Sequence, residues 1–151
     1  MTLQANVVTA ARGWIGTRFH HQGRLKKCAS HKGGVDCLGL LVGVANELNL
    51  HSESGRKLTS YDERDYPHAP DHVRLRHMLS GLMDEISMQD IQMGDIALFN
   101  IDGYPQHLGI ITPIGDGKGI IHAYAPAKAV VEHYLDDWWQ ERVAAVFRLK
   151  P

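Results

Sequence analysis

The chain has 151 residues, 44% of them apolar, which is the size and make-up of one globular domain with one core, and a single domain over residues 1–151 is expected. Its formal charge of −1 and isoelectric point near 6.8 leave no basic excess, which argues against nucleic acid or an anionic membrane surface as partner. Two cysteines make no disulfide framework in a chain this long, and no stretch approaches the roughly 20 apolar residues of a membrane span.

The N-terminal run "MTLQANVVTAARGWIG" lacks the cationic start, continuous apolar core and cleavage site of a secretory signal, so the chain is expected in the cytoplasm where it is made, or exported without a signal of its own. Leu3, Val7, Ala10, Ala11 and Trp14 recur at steps of three and four and predict a first helix closed by Gly13 and Gly16. Residues 17–36 are polar, without period, and read as a loop; loops of this length are often functional. A second helix is predicted from Cys37 to about Asn49, apolar on most sides and therefore central. Residues 51–70 read as another long connection. A short peripheral helix is expected over 71–83, with Val73, Met78, Leu79 and Leu82 inward.

The period then changes to two. "GDIALFNI", "HLGIIT", "GIIHAY", "AVVEHY" and "VAAVFRL", between residues 94 and 149, are five short β-rich runs separated by turn residues. Helices first and hairpin-linked strands afterwards predict an α+β fold, with N-terminal helices packed on an antiparallel sheet of about five strands.

Cys37 is the first candidate for chemistry. Asp36 is a good N-cap, which sets Cys37 at the first helical position, where unpaired N–H groups and the helix dipole favour a thiolate. Gly33 and Gly34 just before it would let a substrate backbone approach. A packed core thiol is the competing reading. The base would be His107, which opens a strand, and His122 in the next strand would fix its tautomer if a hairpin through "PIGDGKG" brings both to one face. The register of that hairpin is open: a turn centred nearer Gly117 than Ile114 offsets the two and calls for a bulge or twist.

"GGVDCLGL", "MGDIALF", "QHLGII" and "GIIHAY", in that order, resemble the NlpC/P60 cysteine peptidases, most closely their small phage-associated members, and "ARGWIGTRFHHQG" adds to the likeness. The resemblance implies a reduced papain-like fold with the cysteine at the start of a central helix. It implies Cys37 as nucleophile, His107 as base and His122 as third polar group, no cofactor, and cleavage of peptidoglycan stem peptides between D-glutamate and a diamino acid such as meso-diaminopimelate, through a thioester. The Cys37 backbone N–H would hold part of the oxyanion. Family members often carry a tyrosine before the cysteine; Phe19 stands at that position without a hydroxyl, which leaves His20 or His21 to supply the second donor. By the same resemblance the partners are peptidoglycan peptides and phage tail-tip proteins, and the location is a virion tail or the cell wall. An amidase or acyltransferase on another acyl substrate, and an inactive structural module of a tail, are the alternatives.

Other features have plainer readings. Cys28 with His20, His21 and His31 follows no compact metal-ligand spacing, so no metal site is expected. "GDGKG" precedes a strand rather than a helix and reads as a turn, not a phosphate loop. Trp138 and Trp139 are expected to divide between core and rim rather than to line a sugar site, and Asp36 is a cap rather than a catalytic acid, placed with Phe19, His20 and His21 beside the substrate and oxyanion.

Overall fold

The computed structural model describes residues 2–51 and 72–150, so the connection expected over 51–70 lies almost wholly outside the described residues. Helix α1 (Leu3–Arg12) starts where the Thr2 hydroxyl accepts the Ala5 N–H, and it buries Val7, Val8 and Ala11. Trp14, just beyond its end, is buried as well, with its indole N–H on Glu47. Helix α2 (Cys37–Glu47) is capped by Asp36, whose side chain accepts the Gly39 N–H. It buries Leu38, Leu40, Leu41, Val44 and Ala45, as an apolar central helix should.

The segment before α2 is less irregular than expected. Two short strands, β1 (Arg24–Leu25) and β2 (Gly34–Val35), pair antiparallel and fold the polar stretch into a small hairpin. Backbone bonds from Gly16 to Val130, from Phe19 to Lys128 and from Val130 to Thr17 tie the start of that stretch to the far edge of the main sheet.

Helix α3 (His72–Leu82) forms where the periodicity placed it, with one correction. Among its described residues Leu75 and Leu79 are buried, as is Met83 just beyond its end, and Val73 is 65% exposed. The stripe at steps of four therefore begins later along the helix than the sequence suggested.

The main sheet has six antiparallel strands in the order β3 (Asp84–Ile86), β8 (Val143–Arg148), β4 (Ile96–Ile101), β5 (Tyr104–Ile114), β6 (Gly117–Tyr124), β7 (Ala129–Tyr134). All five strands read from the sequence are there, although β5 starts at Tyr104, so that His107 lies within the strand rather than opening it. The sixth, β3, is short and charged and pairs only with β8, which is how an edge strand escapes a search for apolar alternation. The sheet separates two apolar layers. Ile96, Leu98, Leu108, Ile110, Ile121 and Phe147 face the helices, while Ala97, Phe99, Ile111 and Ile120 face the other way, toward Leu135 and Trp139. Asp95, fully buried at the start of β4, binds the Arg148 guanidinium at 2.8 and 3.0 Å and fastens β4 to the end of β8.

Candidate active site

Three strands carry the polar residues of the sheet's second face. The β5–β6 ladder pairs Ile110 with Ile121 and Ile114 with Gly117, so the turn is centred between Gly115 and Asp116. Continued outward, that register sets His107 opposite Tyr124, and His107 and His122 lie diagonally, two residues apart on one face. No bulge is needed, since the imidazoles span the diagonal and His107 Nε2 lies 2.7 Å from His122 Nδ1. The same offset recurs on the next strand. β6 pairs Ile120 with His133, and His122 Nε2 lies 2.8 Å from His133 Nε2. His133 Nδ1 in turn lies 2.8 Å from the Tyr134 carbonyl.

Aromatic rings hold this row of imidazoles. Tyr124 stacks on His122 at 4.9 Å between centroids. Trp139 meets His122 edge-on at 4.8 Å and also borders His107 and His133. It is presented by the short helix α4 (Asp137–Gln140), whose cap Asp136 accepts the Trp139 N–H. The two tryptophans divide as expected: Trp139 is buried, and Trp138 is exposed under the Arg142 guanidinium. Gly109 makes the row possible from below. A Cβ there would sit 2.5 Å from the Ile120 side chain and 3.3 Å from Phe99, in the layer immediately beside His107.

Cys37 arrives from the opposite side of the sheet. α2 packs across β5 and β6. The β5–β6 ladder ends at Ile110, while β5 remains paired with β4 as far as His107 and beyond. In the opening beyond Ile110 the Leu108 backbone N–H turns to the Cys37 sulfur, as does that of Leu38. The thiol is thereby set beside the strand segment that carries His107.

The electrostatics differ from the sequence expectation. Burial, and then the Asp36 carboxylate, push the Cys37 thiol up to about 12, against the pull of the Leu108 and Leu38 N–H groups and of Arg24. The helix start does supply N–H groups, but the cap that makes the helix also brings a negative charge. Burial holds His107 down to about 4, and burial with its two histidine neighbours holds His122 at about 2. Burial thus favours the neutral thiol and the neutral imidazole.

Asp36 is a structural hub, as the cap reading required. Its Oδ1 accepts from Gly39 N at 2.8 Å and from Arg24 at 3.1 Å, and its Oδ2 accepts from Gln22 N at 2.9 Å. Gly33 and Gly34 are buried, contrary to the expected role in admitting a substrate. Gly33 has φ of +65° and lies against the Leu25–Lys27 backbone, while Gly34 faces the His20 side chain, so the β1–β2 hairpin itself takes up the room. Phe19 packs, as Cys37 does, against the core cluster that includes Val35. His20 is exposed and donates Nδ1–H to the His21 carbonyl. His21 is partly buried. Both cysteines are free thiols, and Cys28 lies exposed beside the Ser30 hydroxyl. Among the described residues no three His, Cys, Asp or Glu side chains are arranged to hold a metal.

Sequence reasoning missed His133 and undervalued Trp139. Both were within reach: "AVVEHY" has the alternation of a strand, and counting in twos from Val131 puts His133 on the face of His122 once the two strands pair.

The fold recurs in known structures. The NlpC/P60 domain of the peptidoglycan hydrolase SagA superposes with a TM-score of 0.61 at 20% identity, over 98% of this chain and all of that one. An NlpC/P60 family protein from Bacillus cereus gives 0.66 at 18% identity, with this chain spanning 41% of its length. An N-acetylmuramoyl-L-alanine amidase from Bacteroides uniformis gives 0.65 at 14% identity over nearly the full length of both. No curated protein gives a significant sequence match. The model of the NlpC/P60 family matches residues 16–148, most of the chain and every element from the first loop to the last strand, and the chain belongs to that family.

Proposed function

We propose that the protein is a cysteine peptidase that hydrolyses peptidoglycan stem peptides, with Cys37 as nucleophile, His107 as base and His122 as the group that orients it. The observation that carries this is the placing of the Cys37 thiol beside the His107 segment of β5, with His107 already hydrogen-bonded to His122. Family membership and the hydrolase and amidase named among the structural neighbours support the substrate class.

With both groups neutral at rest, the thiol proton moves to His107 Nδ1 as sulfur attacks the scissile carbonyl carbon. The backbone N–H of Cys37 at the start of α2 is available to the developing oxyanion. Collapse breaks the C–N bond; the amine leaves with the proton from His107, and the acyl group stays on sulfur as a thioester. Water, deprotonated by His107, then releases the acid and restores the thiol. Phe19 has no hydroxyl to give the oxyanion, and the Nδ1–H of His20 is given to the His21 carbonyl. The family resemblance directs cleavage to the D-glutamyl–diamino acid bond. Membership of a phage tail rests on the resemblance to phage-associated members; no described helix is long and apolar enough to cross a membrane.

Mass spectrometry of muropeptides digested by the wild type and by Cys37→Ala tests the proposal. A fragment ending in D-glutamate, released only by the wild type, is the expected result. Release of the whole peptide from the sugar identifies an amidase instead, and no cleavage of any stem peptide leaves the structural module as the account.

A further inference from the structure

The histidine row has a direction, fixed at its far end. The Tyr134 carbonyl can only accept, so His133 Nδ1 carries the hydrogen in the 2.8 Å bond between them. Neutral His133 then has its lone pair on Nε2, and the 2.8 Å contact with His122 Nε2 requires His122 to be the donor. That leaves the His122 lone pair on Nδ1, facing His107 Nε2 at 2.7 Å, so His107 donates from Nε2 and has its own lone pair on Nδ1. One backbone carbonyl thus sets three tautomers, and the last of them is the one a base for Cys37 needs.

We propose that His133 is a positioning residue that acts through His122 to hold His107 as the Nε2–H tautomer, with the Tyr134 carbonyl as the anchor. The proposal rests on the peptidase reading for its functional meaning. It extends the role of third polar group from one residue to a relay across β5, β6 and β7. When His107 accepts the thiol proton at Nδ1, its Nε2–H already points at the His122 lone pair, so no hydrogen bond in the row is reversed. The imidazolium meets the acceptor ends of two aligned neutral imidazoles and a carbonyl, where other thiol and serine enzymes use an amide or carboxylate. A donor at the His133 position would invert the row and place a hydrogen on His107 Nδ1, against the thiol.

Two-bond proton–nitrogen correlation on the nitrogen-15-labelled full chain, above the pH at which imidazoles protonate, reads the tautomers directly and needs no variant. The expected pattern is Nε2–H on His107 and His122 and Nδ1–H on His133; Nδ1–H on His122 overturns the proposal. In the muropeptide assay His133→Leu is expected to lower kcat at least about tenfold with little change in KM. His133→Gln, whose amide oxygen can accept from His122, returns kcat to near wild type. A folded His133→Leu protein with wild-type kcat overturns the relay. If the tautomers are as stated but no stem peptide is cut, the peptidase reading falls and the relay stands; if stem peptides are cut and the tautomers are opposite, the relay falls and the peptidase reading stands.

Discussion

Replacing Asp36 by Asn separates two effects that the carboxylate combines. Asp36 and Arg24 are each 7% exposed at the side chain and bonded at 3.1 Å, so the pair is buried. An asparagine keeps one oxygen for Gly39 N and Arg24, but sets an amide N–H against the Gln22 N–H that Oδ2 now accepts. Breaking a buried pair costs about 3–5 kcal/mol, and the retained cap keeps this variant near the lower figure, about 3 kcal/mol. Asp36→Ala also loses the cap, about 1 kcal/mol more. The thiol moves the other way. The carboxylate is the second cause, after burial, of the high Cys37 pKa, so its neutralisation makes the thiol more acidic. Urea melts give the stability, and alkylation rates against pH, in a Cys28→Ser background with folding checked by near-ultraviolet circular dichroism, give the thiol. A variant that loses less than about 1 kcal/mol, or whose Cys37 titrates at or above the wild-type pH, refutes this account of Asp36.

Three further outcomes are expected. His107 and His122 stay neutral in the folded protein down to about 4 and about 2, whereas unfolded histidine takes a proton near 6.5. The unfolded state then binds more protons below that pH, so stability falls as pH drops from about 6.5 towards 4, by up to about 1.4 kcal/mol per pH unit for each histidine; chemical denaturation of wild type and His122→Gln shows the slope and its reduction. Gly109→Ala forces the Ile120 and Phe99 side chains apart and is expected to cost about 1–3 kcal/mol, roughly 5 °C in a thermal melt, and to lower activity by displacing His107. With limiting iodoacetamide at neutral pH, peptide mapping is expected to find Cys28 modified before Cys37. Ser30 lowers the pKa of the exposed thiol while burial raises that of the other.

The architecture was legible because its signals are local. Steps of three and four gave α1 and α2, alternation gave five strands, and Asp36 before Cys37 gave a cap that the structure reproduces. What escaped depends on pairing. The short strands β1 and β2 are defined by each other and not by composition, and Val73 has the residue type of a core position without its place on the helix. The diagonal of His107, His122 and His133 exists only once two hairpin registers are fixed, and alternation within one strand gives a face but not an offset. The pKa of Cys37 escapes the sequence for a similar reason. Helix position is visible in sequence, whereas the depth of burial that outweighs it is a property of the assembled core.

The central claim is that Cys37 attacks a stem-peptide carbonyl, and rapid acid quenching of the protein with a muropeptide, followed by intact-protein and peptide mass spectrometry, tests it most directly. The account predicts a transient acyl adduct on Cys37, absent from Cys37→Ala, whose added mass identifies the bond that was cut. Product release with the adduct missing at every quench time, or equal release by Cys37→Ala, contradicts it.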